Sequence, residues 1–195
     1  MLFRSIYVYA KTDTNVSVFD NIISKVYFDD NCEIEFVLEN RRSFRSCDLL
    51  LKKLSINDIM IINDLFDIGS NLVDVINNLD YIINRNIVLL INTYQTTYEF
   101  GIKSEINKTV LLTIKQSLLS CNTNIIVNKS NVGRPKMDFP IGWDELYDAW
   151  VLGNITSSEF MKKLNLKKAT FYNLLSEYKY IQKLNDEYMN KYRLA

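Results

Sequence analysis

Histidine is absent from the 195 residues, which excludes histidine general bases and histidine-containing metal sites. Only two prolines occur, Pro135 and Pro140, so helices and strands elsewhere run without proline breaks. Glycine is also scarce, at five residues, and no glycine-rich phosphate loop is present; nucleotide binding has no motif behind it. The three cysteines, Cys32, Cys47 and Cys121, are odd in number and not at metal-ligand spacing, a pattern expected of a reducing, cytoplasmic setting. No apolar run approaches the roughly 20 residues of a membrane span, and no apolar signal core follows Met1. A soluble, cytoplasmic chain with no membrane partner is expected. Net charge is missing too. The 23 basic and 23 acidic residues cancel, and the part beyond Ser130 carries 10 basic against 8 acidic. Any contact with nucleic acid must come from placed residues, not from bulk charge.

What the chain does have is apolar residues, 48% of the total, enough for a packed core and too many for wholesale disorder. Strand and helix patterns alternate up to Cys121. Ile6–Tyr9, Glu33–Leu38, Asp58–Ile62 and Asn86–Ile91 read as strands, the last two as continuous apolar runs suited to burial on both faces. Between them lie helical spacings: Val18, Ile22, Ile23 and Val26; the stretch Leu49–Leu54; then Leu72, Val75, Ile76, Leu79 and Ile83. Val110–Leu119 forms a final amphipathic helix. Repeated strand–helix units predict an α/β domain with a mostly parallel sheet over residues 1–130. Residues 131–142, bracketed by the prolines, are a linker, and 143–195 form a small all-α domain with a C-terminal tail.

Three short helices are expected in that last part. Trp143, Leu146, Tyr147 and Trp150 make one apolar stripe, which stops at Gly153. Thr156 and Glu159 have capping-box spacing, with Ile155 and Phe160 as the hydrophobic staple. After a turn at Asn165–Lys168, Phe171, Leu174, Leu175 and Tyr178 share an inner face. Lys167, Lys168, Ala169, Thr170, Tyr172, Asn173 and Ser176 fall on the outer side, where a helix-turn-helix presents base-edge and phosphate contacts. A three-helix structural cap with a solvated polar face has the same spacing. The basic segment Gly133-Arg134-Pro135-Lys136 directly ahead of it is shaped like an arm that enters a minor groove, and tips the reading toward double-stranded DNA.

These features together resemble the serine recombinase (resolvase/invertase) family across nearly the whole chain. The arm and the stretch from Gly153 to Tyr172 are similar to the C-terminal module of resolvase-like proteins. Ile6 to Thr14 lies where that family has its first strand and a Tyr-x-Arg-Val-Ser-Thr motif; Arg45 followed by Leu49 and Leu50 resembles its arginine and leucine-rich helix. Asp58 to Ser70 aligns without a gap on a strand ending in Leu-Asp-Arg-Leu-Gly-Arg. The resemblance implies a resolvase-like sheet domain followed by a helix-turn-helix, and a family chemistry of DNA cutting and rejoining through a serine in an arginine-rich pocket.

Carried over residue by residue, that chemistry is dismantled. Asp13 stands for the serine nucleophile and Lys11 for the arginine before it. Phe66 replaces the aspartate of the second motif, Asp67 its neighbouring arginine, and Ser70 the arginine after Gly69. Arg45 alone is retained. Attack on a phosphodiester needs a nucleophile able to approach an anion and cations over the developing charge, and carboxylates at positions 13 and 67 oppose both. The expectation is a sequence-specific DNA-binding protein without catalytic residues or cofactor, acting as a transcriptional regulator or an accessory factor of a mobile element. Its expected DNA contacts are Arg134, Lys136, Lys167, Lys168, Thr170, Tyr172 and Asn173. The alternatives are an active site-specific recombinase, with Thr12 or Thr14 as nucleophile and Arg41 and Arg42 as extra cations, and an α/β interaction module that no longer binds DNA. A homodimer through Val110, Leu111, Ile114 and Leu118 is expected, unless those residues simply cover the sheet.

Overall fold

The computed structural model describes residues 5–26, 34–99, 102–120 and 139–193. It divides into two compact units, Met1–Gly133 with Asn185–Ala195, and Arg134–Leu184. The basic arm with Arg134 and Lys136, together with Cys32 and Cys121, lies outside the described residues.

The first unit is built on a four-stranded, all-parallel sheet. Its strands are β1 (Ile6–Lys11), β2 (Ile34–Glu39), β3 (Ile59–Ile62) and β4 (Val88–Ile91), in the order β2-β1-β3-β4. The helices of this unit are α1 (Asp20–Val26), α2 (Arg45–Lys53), α3 (Leu72–Asn84) and α4 (Ser104–Ser120). Every residue of β1, β3 and β4 is buried, as the continuous apolar runs require. Tyr7, Tyr9, Met60, Ile62, Leu89 and Ile91 line one face of the sheet and pack in one cluster with Leu50, Leu51, Val75, Leu79, Ile82 and Leu111 from the helices. On the alternate positions Val8 and Ile61 are equally sealed.

Local chemistry places the helix ends. Asn71 caps α3 by accepting from the Asp74 N–H at 3.0 Å. Ahead of it, a single 3-10 turn at Leu65–Ile68 is held by a capping box between Asp64 and Asp67. Gly69 follows with extended backbone, and its importance is space: a Cβ there would sit 2.6 Å from the Val75 nitrogen. The strand bounds match expectation within about two residues. The dimer stripe does not stand free: Leu111 is fully buried, and Ile114 and Leu118 pack against the chain's own core. The side of α4 that reaches solvent carries Ile106, Leu112 and Leu119 instead.

The second unit contains α5 (Trp143–Val151), α6 (Ser157–Lys163) and the start of α7 (Lys168–Arg193). Trp143, Phe160, Phe171, Leu174 and Leu175 form its buried centre. Ring contacts tie the helices together, with centroids 4.9 Å apart for Trp143–Phe160 and 5.1 Å for Phe160–Phe171. Gly153 ends the α5 turn at φ 75° and Asn165 ends α6 at φ 52°, both in the left-handed region that these residue types tolerate. The third helix is longer than its apolar spacing suggested, at 26 residues.

Candidate nucleic-acid interface and the cleft at the sheet edge

The carboxyl ends of β1 and β3 open onto a cleft of about 460 Å³, lined by residues that include Lys11, Asp13, Arg41, Phe44, Phe66 and Asp67. Several of the positions that the resemblance sets against catalytic residues fall here. The structure brings Lys11, Asp13, Phe66 and Asp67 together, with Thr14, Asn15 and Asn63 beside them. Ser70 is not among the lining residues, and its hydroxyl bonds the Asp74 carboxylate at the start of α3. Arg45, the first residue of α2, is exposed and absent from the lining.

Lys11 is not a solvated substitute for an arginine. Its ammonium is buried, donating to the Tyr9 hydroxyl at 2.6 Å and to the Ser43 carbonyl, and it lies 3.8 Å from the centroid of the Phe44 ring. Glu39 stands 3.8 Å away and is equally sealed. That carboxylate accepts from Tyr9 at 2.6 Å, from the Ser43 hydroxyl at 2.7 Å, and from the Ser46 and Cys47 N–H groups at the start of α2. The network therefore joins β1, β2 and the amino end of α2, where a negative charge is favoured by the helix dipole. Burial lowers the Lys11 pKa, with the Glu39 charge opposing that shift. Burial, then Glu39, pushes the Tyr9 phenol up.

Glu39 is not announced by any motif in the sequence. Its signal lies in strand pairing: Lys11 and Glu39 are register partners at the ends of adjacent parallel strands. Nothing close to either residue along the chain reveals that pairing.

At the cleft mouth Asp13 is half exposed and meets the Arg41 guanidinium at 3.4 Å, an exposed pair of small energetic weight. Asp67 is half-buried. One carboxylate oxygen accepts from the Asp64 N–H at 2.8 Å, and burial raises its pKa against that hydrogen bond. Thr12 and Thr14 each donate their backbone N–H, to the Glu39 and Lys11 carbonyls. Among the described lining residues the sole guanidinium is Arg41.

The second surface lies on the helices of the other unit. Thr156 and Glu159 form the expected capping box, with the Glu159 carboxylate accepting from the Thr156 N–H at 2.7 Å and the Glu159 N–H donating to the Thr156 hydroxyl at 3.2 Å. The Thr156 N–H, and after it the Thr156 hydroxyl donating to the same carboxylate at 2.9 Å, hold the Glu159 pKa below its usual value. Ile155 packs on the same cluster as Phe160. With α6 fixed, Asn165 turns the chain and α7 starts at Lys168. Phe171, Leu174 and Leu175 face the core, leaving Lys167, Lys168, Tyr172 and Asn173 exposed and Thr170 half-buried.

Two further cations, not foreseen from spacing, join this surface. Lys162 and Lys163 end α6 and are exposed, so four lysines flank one turn while no acidic residue occurs between Phe160 and Ser176. The acidic residues Asp144 and Glu145 sit on α5 instead. Four lysines at that spacing mark a helix end plus a helix start, a signal visible only once both helix bounds are known.

No protein-family model matches the chain, and no curated protein matches it.

Among the described residues no helix is long and apolar enough to cross a membrane.

Proposed function

We propose that this chain is a sequence-specific double-stranded DNA-binding protein whose α6–turn–α7 segment acts as a helix-turn-helix, carried on a resolvase-like body that has lost strand-exchange chemistry. The observation that carries the reading is the division of α7 at its start. Apolar residues at 171, 174 and 175 are buried, while Lys167, Lys168, Tyr172 and Asn173 face water beside Lys162 and Lys163. Exposed ammonium groups release condensed counterions when they meet phosphates, and a helix amino end favours the same anion. Thr170 and Asn173 supply hydrogen-bonding groups of the kind that distinguish base edges, while Ala169 offers a methyl for thymine. Arg134 and Lys136 would add minor-groove contacts ahead of the helices.

The cleft supports the non-catalytic half of the reading. Its buried cation is consumed by Glu39, Tyr9 and Ser43, and its guanidinium is paired with the residue standing at the nucleophile position. A nucleophile on a phosphodiester requires free cations over the developing charge. The biological role is that of a transcriptional regulator or an accessory factor of a mobile element; a homodimer, whose interface would have to lie off the buried α4 stripe, would read two half-sites about one helical turn apart.

The test recovers genomic DNA bound by the purified chain, then footprints the enriched sites at two salt concentrations. Specific, salt-sensitive protection is expected, weakened across all sites by Arg134→Ala. Indifference to duplex DNA would reject the proposal. Trapping a covalent protein–DNA adduct on a nicked substrate would reject the non-catalytic half and restore the recombinase reading.

A further inference from the structure

The cleft in the first unit contains a group that DNA binding leaves unused. It is formed by the segments leaving β1 and β3, neighbours in the sheet whose following connections diverge to opposite sides. Crevices at such a switch point, outside the carboxyl ends of parallel strands, are where open α/β sheets take ligands. At about 460 Å³ this one is within the span of small-molecule sites.

Its charges decide what would enter. Lys11 is spent on Tyr9, Ser43 and Glu39, and Arg41 on Asp13. That leaves Asp67. One of its oxygens is held by the Asp64 N–H; among the described residues the other, Oδ1, accepts no hydrogen bond. The adjacent Asp64 carboxylate is occupied with the Phe66 N–H at 3.0 Å and the Thr93 hydroxyl at 3.2 Å, and adds negative charge without neutralising any. The Phe66 side chain lines the same cleft and is 38% exposed, so part of it is open to a ligand. A half-buried carboxylate that the Lys11 charge reaches only through space, with no direct ion pair among the described residues and an aromatic side chain beside it, repels anions and attracts an organic cation. Among the described residues no group of three or more His, Cys, Asp or Glu is placed to hold a metal ion, and the aromatic side chain beside the carboxylate suits an organic cation.

We propose that this cleft binds a small organic cation, an ammonium or guanidinium compound of roughly ten heavy atoms, with Asp67 as its counter-ion and Phe66 as the wall against which it lies. The bound cation pairs directly with the carboxylate, which the Lys11 ammonium, bonded to Tyr9 and Ser43 and facing Glu39, reaches only through space. The site does not rest on the DNA-binding reading and stands or falls separately from it.

The experiment titrates the full-length chain calorimetrically with agmatine and putrescine, and with sodium acetate and inorganic phosphate as anionic controls. Saturable one-site binding of agmatine is expected, weakened about tenfold or more by Asp67→Asn. That substitution keeps an oxygen for the Asp64 N–H and so preserves the 3-10 turn. Phe66→Leu should weaken binding by a smaller factor while leaving both carboxylates in place. Amide NMR shifts on adding agmatine should cluster at residues 11–15 and 63–67, a map that decides the matter even if Asp67→Asn does not fold. Absence of saturable binding by either amine, equal binding by Asp67→Asn, or preferential binding of phosphate would each overturn the proposal.

Discussion

Lys11 and Lys168 carry the same ammonium group into opposite surroundings. Lys11 is buried at the end of β1 and hemmed in by a phenol, a carbonyl, an aromatic face and the Glu39 carboxylate. Lys168 opens α7 in water, with Lys162, Lys163 and Lys167 nearby and equally exposed. The buried cation does architectural work: with Glu39 it ties two strands to the amino end of α2, and burial together with its bonds to Tyr9 and Ser43 keeps it from a phosphate. The exposed cations make no ion pair or side-chain hydrogen bond among the described residues, beyond the pull of Lys162 and Lys163 on Glu159, and face solvent. A lysine in a DNA-facing position is therefore informative only once its burial is known.

The sharpest way to test that division is to break the buried side. Glu39→Ala leaves Lys11 charged and unmatched and uncaps α2, and should cost about 3–5 kcal/mol in chemical denaturation. A loss below about 1 kcal/mol would mean that the pair behaves like a surface ion pair and the contrast with α7 fails.

Alkaline pH probes the same region without that charge pair being mutated. The Cys47 thiol, buried on α2 beside Glu39, is pushed up to about 12 by burial first and the Glu39 charge second, from an ordinary 9.0. Between those values the unfolded chain has released the thiol proton and the folded chain keeps it. Stability from this group is thus complete below pH 9 and is lost as the pH rises toward 12, by an amount on the order of 4 kcal/mol. Tyr9, also raised, acts in the same direction; Lys11, lowered, acts in the opposite one. Urea unfolding at about pH 8 and about pH 10 should show a fall in stability that Cys47→Ala makes shallower. An equal fall in the variant would remove Cys47 from the account.

In the second unit the stability effects are smaller because the groups changed, a helix cap and two lysines, are exposed. Thr156→Ala removes the hydroxyl that accepts from the Glu159 N–H and should cost about 0.5–2 kcal/mol, read from thermal unfolding of the intact chain. Smallest of all in stability is the Lys167→Ala, Lys168→Ala double variant, which should stay within roughly 0.5 kcal/mol of the parent. Its effect belongs to binding: the dependence of log affinity on log salt should fall in magnitude by about 1.8, or about 0.9 for each phosphate no longer neutralised. An unchanged salt slope would place the DNA-binding surface elsewhere.

Most elements of the fold were legible in the chain because their causes are local. Ile59–Ile62 and Val88–Ile91 announce buried parallel strands by unbroken apolar character. Thr156 and Glu159 announce a helix start three residues apart, and Phe171, Leu174 and Leu175 announce its neighbour's inner face. The candidate interface on α7 was legible for the same reason: once a helix and its buried side are known, the outer side follows. Less was visible at the cleft. Asp13 could be named as a carboxylate where the resemblance expects a serine, and Asp67 as one where it expects an arginine, but not that the first would pair with Arg41 and the second keep an oxygen without a partner among the described residues. The stripe on α4 was ambiguous, since packing on a sheet and packing on a second copy leave the same periodicity; the structure turns Leu111, Ile114 and Leu118 onto the chain's own core.

By itself the sequence determined the alternation of strands and helices, the caps, the turns at Gly153 and Asn165, and which residues of α7 face outward. Each depends on side chains within a few positions of one another, so periodicity and backbone preference suffice. Only the tertiary structure decided that Lys11 is sealed against Glu39, on the neighbouring strand, and that Asp67 is half-buried with one oxygen unmatched. Those outcomes depend on which strands pair and in what register, and on how much water is excluded when they do. A charged side chain keeps the same name in either environment; burial and partners set what it can do.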